Sequence, residues 1–321
     1  MKRKTFLHTC LALVATITLG ANAQQYPTKP ITIVVASATG GASDKLARLA
    51  AESMQQVLGQ PVLVVSRPGA GGSIGVESVV RAPADGYTFL LTASGNIAIA
   101  PQVYKLNYDP VEQLSQVSIL VDVPFVLVAN KDSGPRDLKG LIQAAQQRPG
   151  ALSMGNAGLG THQHLTQLMF GKAAGVQLRI VPYKGSVPAT MDLMGGHIDT
   201  VIDNVGVQKP LIEAGKVHPI LTTAPTRLET LPNIPTAQEL GLLMSAVAWF
   251  GLAAPKGTPS EIIQRVQSAV SATFAQAEVR QKLLNDGFVP LASTPAFAEE
   301  RVRRDAAQLG KAAKDFNLRL Q

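Results

Sequence analysis

Short, β-rich apolar runs alternate with helically striped segments along almost the whole chain, and this rhythm restricts the fold more than any other feature. "ITIVVA" (Ile31 to Ala36) reads as a strand, and after it Leu46, Leu49, Ala50, Met54, Val57 and Leu58 recur at helical spacing. "PVLVVS" reads as the next strand, "GSIGVESVVRA" as a short helix and "YTFLLTA" as a third strand. The rhythm resumes with a helix in "PRDLKGLIQAAQQ", the strand "ALSM" and a helix from Thr161 with Leu165, Leu168 and Met169 on one face. The strands "RIVPY", "IDTVI" and "HPILTTA" follow. Strand and helix alternating in this way predict right-handed parallel βαβ units, an α/β fold.

Two loops suggest two lobes rather than one sheet. "ASATGGASD" (Ala36 to Asp44) and "GNAGLGTHQ" (Gly155 to Gln163) share one construction: a β-run, small residues with glycines, then an apolar-striped helix. Between them "VPFVLVANKDSGP" reads as a crossing strand and "AWFGLAAPKGTP" (Ala246 to Pro259) as the return crossing. Ile262, Ile263, Val266, Ala269 and Val270 then mark a helix that starts at Pro259-Ser260. The last helix begins near Pro295, with "EERVRR" on a solvated face. The expected division is 24–127 with 226–321 as lobe one and 128–225 as lobe two.

Residues 1–23 read as a secretory signal: three basic residues, an apolar run from Leu11 to Leu19, then Ala21-Asn22-Ala23 before the cut. Cys10 follows Thr9 at the head of the apolar run, well before the expected cut, so no lipoprotein anchor is expected, and the mature chain is expected to be soluble, periplasmic and monomeric. It would hold no cysteine, which excludes disulfides, thiolate metal sites and a cysteine nucleophile. The net charge of +7 loses three units with Lys2, Arg3 and Lys4, and no basic run with interleaved aromatics suggests nucleic acid. No other apolar run reaches the roughly 18 residues of a membrane span.

Catalytic and nucleotide motifs are poorly matched. "GNAGLG" has glycines at its first, fourth and sixth positions, unlike a dinucleotide fingerprint, and no Lys-Ser/Thr follows; "PGAGGSIG" misses as well. His162 and His164 are two apart, which points them to different sides of a helix. There is no His-Glu-x-x-His, and "GASDK" lacks the second glycine of a nucleophile elbow. Ser37, Ser43 and Ser186 have no histidine placed by sequence to activate them. No catalytic residue, metal or cofactor is therefore expected.

The loops themselves carry the functional reading. Glycine lets the backbone take positive φ and come close to a ligand, and the helix N-terminus that follows favours an oxyanion. Taken singly, each loop is equally well read as a tight strand-to-helix turn. Ser37, Thr39, Ser43, Asn156, Thr161 and Asn204 are uncharged donors suited to carboxylate oxygens. Asp44 and Asp203 would repel a carboxylate unless a water or a ligand ammonium intervenes, and Asp44 also suits the positive end of a helix. Lys184 reads either as an anion contact or, as is common, an exposed lysine beside a turn, and Trp249, the only tryptophan, as a core or hinge residue rather than a stacking surface for ligand.

In order along the chain, "YPTKPITIVV", "GGASDKLARLAA", "RPGAGGSIGVESVVRAPADGYTFLL", "YDPVEQL", "GNAGLGTHQHL", "VPYKGSVPATMDLMGGHID", "LPNIPTAQELG" and "WFGLAAPKGTP" resemble the Bug (Bordetella uptake gene) family. These are the TctC-like periplasmic receptors of tripartite tricarboxylate transport systems. The resemblance implies a type II-like periplasmic binding protein fold, two α/β lobes joined by crossing strands and closing on a ligand. It implies a carboxylate gripped by Ser37, Ala38, Thr39, Gly40, Gly41, Ser43 and Asp44 of the first loop and by Asn156, Ala157, Gly158, Gly160 and Thr161 of the second, with Asp203 and Asn204 at the cleft end of a lobe-two strand. The implied partners are a small carboxylate and the membrane subunits of a tripartite transporter. A periplasmic accessory enzyme acting on a polymer breakdown product, or a receptor signalling to a membrane sensor, are the alternatives. The first loop departs from the family's Phe-Pro-Pro-Gly-Gly: here Ala36-Ser37-Ala38-Thr39-Gly40-Gly41 replaces ring and prolines with small residues and two hydroxyls.

Overall fold

The computed structural model describes residues 26–37 and 39–318; the expected signal segment 1–23 and Ala38 lie outside the described residues. Among the described residues ten strands form one long sheet built as two half-sheets end to end. In the first half, β1 (Ile31–Val35) lies between β2 (Val62–Ser66) and β3 (Thr88–Ala93), all parallel. β1 is almost wholly buried, as a parallel strand covered on both faces requires, and its Ile and Val side chains suit that environment. The helix α1 (Ala42–Leu58) packs Leu46, Ala47, Ala50, Met54 and Leu58 against it. Gly59 ends α1 in the left-handed region at φ 72° and donates back to Gln55 O, as a C-terminal glycine does. Val57, read as part of the apolar stripe, faces solvent at 54 % exposure.

The expected crossing strand is longer than the sequence pattern indicates. β4 (Leu114–Asn130) serves both half-sheets: up to Pro124 it pairs antiparallel with β9 (Val247–Pro255), and from Phe125 onward with β7 (Thr200–Asn204) and β8 (Val217–Thr222). Pro124 has no N–H to offer a ladder and sits where the partners change; the Phe125 N–H beyond it goes to the Thr223 hydroxyl at 3.2 Å. β9 returns the chain beside β3, so the predicted return crossing is present. The second half-sheet continues from β7 to β5 (Ser153–Asn156) and β6 (Arg179–Pro182), all parallel. A short strand, β10 (Val289–Pro290), pairs with β4 at Asp122.

Each half-sheet has its own apolar core. Phe89, Leu91, Leu120 and Val266 belong to the first; Phe125, Leu127, Met154 and Ile202 belong to the second. The segment from Leu228 to Ala246 packs on the second: Leu228, Leu231 and Ile234 lie against one face and Ala237, Leu242 and Met244 against the other. Near the end of β7, Gly206 and Asp286–Gly287 meet backbone to backbone, and a Cβ on Gly206 would collide with the Asp286 carbonyl. The final helix α10 (Pro295–Asp315), capped by Thr294, runs back across the junction: Leu309 and Phe316 cover Leu165 of the second half and Ile99 of the first.

Candidate functional site

A cleft of about 420 Å³ opens where the half-sheets meet, at the C-terminal ends of the parallel strands. This is where open α/β sheets place ligands, because the loops that follow those strands converge there. Ser37, Gly160, Thr161 and Asn204 line it, as does Phe125 at the strand crossing. Among the described residues that line it, none is Asp, Glu, Lys or Arg. An anion held there would meet only neutral dipoles.

The first loop is fixed by its own polar groups. The Ser37 and Ser43 hydroxyls are 2.5 Å apart, and the Ser66 hydroxyl donates to the Ser37 carbonyl. Gly40 takes φ 86° and donates its N–H to Asp44 at 3.1 Å, while Arg48 approaches the same carboxylate through Nε at 3.1 Å and Nη2 at 3.2 Å. The Arg48 hydrogen bonds, then the Gly40 amide, hold the Asp44 carboxyl below the usual range. Asp44 is thus a buried brace for the turn. Thr39, Gly40, Gly41, Ser43 and Asp44 belong to the loop and the α1 start, outside the cleft lining itself.

The second loop is built differently. α5 (His162–Ala174) begins at Thr161, whose hydroxyl accepts the His164 N–H at 3.2 Å and donates to Gly158 O at 2.7 Å. Asn156, fully buried, accepts the Gly158 N–H at 2.7 Å and donates to Gln167 at 2.7 Å. Gly158 and Gly160 take φ 135° and 74°. Asn156, Ala157 and Gly158 lie behind the lining, and Gly160 and Thr161 form it. Asp203 is also behind it: it is 1 % exposed, and its carboxylate accepts from Ser186 Oγ and Asn204 N–H, both at 2.8 Å, and from Gln163 at 3.3 Å. Burial raises its pKa against those bonds.

Several lining residues escaped the sequence reading. Gly71 and Gly72 come from the loop after β2, and Ser94 and Asn96 from the turn after β3, which winds into a π-helical stretch, Gly95–Ile99. Tyr104, His162 and Trp249 line it as well. The signal available was positional: if loops after the first strand of a lobe face a cleft, those after its parallel neighbours do too. Trp249 itself is fully buried and donates Nε1–H to Asp305 at 2.9 Å, in line with the core reading.

Ser94 Oγ and His162 Nδ1 stand 2.9 Å apart, joining the first half-sheet to the second across the cleft. The pair lacks the makings of a nucleophile and base. Burial lowers the His162 pKa to about 4, far from the near-neutral value that suits a general base, and its Nε2 has no orienting partner among the described residues. Among the described residues no group of three His, Cys, Asp or Glu side chains can hold a metal ion, and no helix is long and apolar enough to cross a membrane.

The halves of the sheet, the crossing strands and the cleft between them define a two-lobed binding protein. Comparison with known proteins agrees: residues 46–315 match the tripartite tricarboxylate transporter family receptor model, TctC. Protein BugT of Bordetella pertussis is 34 % identical over 300 residues, covering 90 % of this chain and 91 % of BugT. The solved structure of R. palustris Rpa4515 with adipate superposes with a TM-score of 0.81 at 35 % identity, over 90 % of this chain and 97 % of that one. That of the periplasmic binding protein BugD gives 0.79 at 34 %, over 92 % and 100 %. The chain belongs to the TctC family of periplasmic transporter receptors, the Bug proteins among them, and is a solute-binding receptor rather than an enzyme.

Proposed function

We propose that this receptor captures a small carboxylate in the cleft and delivers it to the membrane subunits of a tripartite transporter. One observation carries the reading: the cleft at the lobe junction presents neutral donors from both half-sheets and no ionised side chain. A carboxylate satisfies such donors, while a cation would find no counter-charge. The adipate held by Rpa4515, a relative with the same fold, supports the same ligand class.

Ser37, Gly160, Thr161 and Asn204 are assigned direct contact. Thr39, Gly40, Gly41, Ser43 and Ala157 shape or supply the loop mouths, while Asp44, Asn156, Gly158 and Asp203 hold the loops in place. The lobes divide at Pro124–Phe125 and at Ala246–Val247, which assigns 226–246 to lobe two because its side chains pack there. Residues 1–23 direct export, and the receptor works as a soluble monomer.

Thermal unfolding of ligand-stripped protein against mono-, di- and tricarboxylates tests this. A ligand bound only by the folded state raises the midpoint by mass action. At least one carboxylate is expected to do so in a dose-dependent way; a panel without any shift, or a shift with cations or sugars only, contradicts the reading.

A further inference from the structure

Large apolar side chains stand exposed around the cleft mouth on both lobes. α6 (Ser186–Met194) follows the loop after β6, and Val187, Met191 and Met194 share the face it turns away from buried Ala189 and Leu193. Val187 is 66 % exposed and Met191 63 %. Leu159, 47 % exposed, belongs to the second loop and lines the cleft. The loops that carry these residues lie side by side: the Tyr183 N–H donates to Asn156 O and the Gly185 N–H to Ala157 O, both at 3.1 Å. On lobe one, Ile74 is exposed directly after the glycines Gly71 and Gly72 that line the cleft. A helix that meets only water carries a polar outer face, so the α6 stripe calls for a partner.

The charges at the mouth have one sign. Lys45 on the first turn of α1, Arg67 directly after β2 and Lys184 in the loop after β6 are all exposed. None of the three has a carboxylate within ion-pair distance among the described residues. The acidic groups of the same segments are taken: Arg48 holds Asp44, Arg81 holds Glu77, the Tyr183 hydroxyl donates to Asp192 at 2.7 Å, and Asp203 is buried. Lys184 lies outside the cleft lining, so the anion contact its sequence allows is not with the ligand in the cleft. An apolar patch with an uncompensated positive fringe therefore frames the cleft from both lobes.

We propose that this rim is the face on which a membrane subunit of the transporter docks, and that the docking surface of that subunit is apolar at its centre and acidic at its edge. This rests on the delivery reading above. The ligand leaves between the lobes, so a protein that takes it over must seat on the rim and touch both. Apolar contact at Leu159, Val187, Met191 and Ile74 supplies the centre of such an interface. Opposite charge at Lys45, Arg67 and Lys184 steers the approach and fixes the register. An anionic lipid surface would match the fringe as well, but its hydrocarbon gives a carboxylate no way onward.

Met191→Glu and Lys184→Glu, single and combined, test the face on lobe two, and Lys45→Glu with Arg67→Glu tests it on lobe one. Leu243→Glu, at a side chain 98 % exposed outside the rim, is the control. None of these residues lines the cleft, so calorimetry with the carboxylate that binds wild type tightest should give every variant an affinity within about twofold of wild type. Uptake of that carboxylate, radiolabelled, is then measured in cells deleted for the receptor and supplied with each variant at equal periplasmic level. It is expected to fall about tenfold or more for the rim variants and to keep the wild-type rate for Leu243→Glu. Wild-type uptake with the rim variants overturns the docking face alone. Binding of wild type to protein-free vesicles of phosphatidylethanolamine and phosphatidylglycerol, lost in the rim variants, gives the face to lipid. A wild-type dimer in light scattering, lost in the same variants, gives it to a second copy; either result also overturns the proposal. A wild-type receptor that binds carboxylate and supports no uptake removes the delivery reading, and this face with it.

Discussion

Thr161 has two roles that can be separated by measurement. Its hydroxyl caps α5 and ties down Gly158, and the residue also forms part of the cleft wall. Thr161→Ala is expected to cost about 1 kcal/mol of stability from the lost cap and to weaken ligand binding more than that loss alone explains. Thr161→Ser, which keeps the hydroxyl, should retain both; chemical denaturation and calorimetry on the pair read the two effects. His162 and His164 make acid stability a residue-scale question too. Both are held below the usual imidazole range, chiefly by burial, His162 at about 4 against 6.5. The folded state therefore resists protons that the unfolded chain accepts, so stability is full above about pH 6.5 and falls as the pH drops towards 4. His162→Gln should flatten that fall in the unfolding midpoint; an unchanged slope would exclude His162 as its source.

At the scale of elements, the glycines divide by their geometry. Gly41, at φ −82° with open space around its Cβ position, accepts a side chain without strain, whereas Gly158, at φ 135°, does not. Gly41→Val is expected to leave the unfolding midpoint within about 2 °C of wild type while obstructing the cleft mouth, and Gly158→Val to lower stability by about 1–3 kcal/mol. Circular dichroism melts alongside ligand titration separate the two. The strand–helix rhythm, both glycine loops and both crossing strands were legible in the sequence because each is written in local periodicity. Gly71, Gly72 and Asn96 were not, since their place in the cleft comes from strand order: β2 and β3 flank β1, and no local pattern states that. Asp44 was legible only as a choice between ligand contact and helix complement. The Arg48 and Gly40 bonds that make it a brace depend on the folded turn.

Over the whole molecule, the two half-sheets share one strand, β4, and abut through Gly206 and Gly287. Gly206→Ala is expected to press the lobes apart at this junction, altering the small-angle scattering profile and weakening carboxylate binding from outside the cleft; unchanged scattering and affinity would show that the contact gives way without moving the lobes. The junction also holds a second cavity of about 290 Å³ lined by Arg227 and Arg280 together with Asp122 and Glu229. A simple charge argument would send an anion to its arginines. The neutral-donor reading sends it to the cleft, so a crystal structure with the tightest-binding carboxylate is the most direct test. Carboxylate density between Ser37 and Thr161 is the expected result; density beside Arg227 and Arg280, with the cleft holding only water, contradicts it.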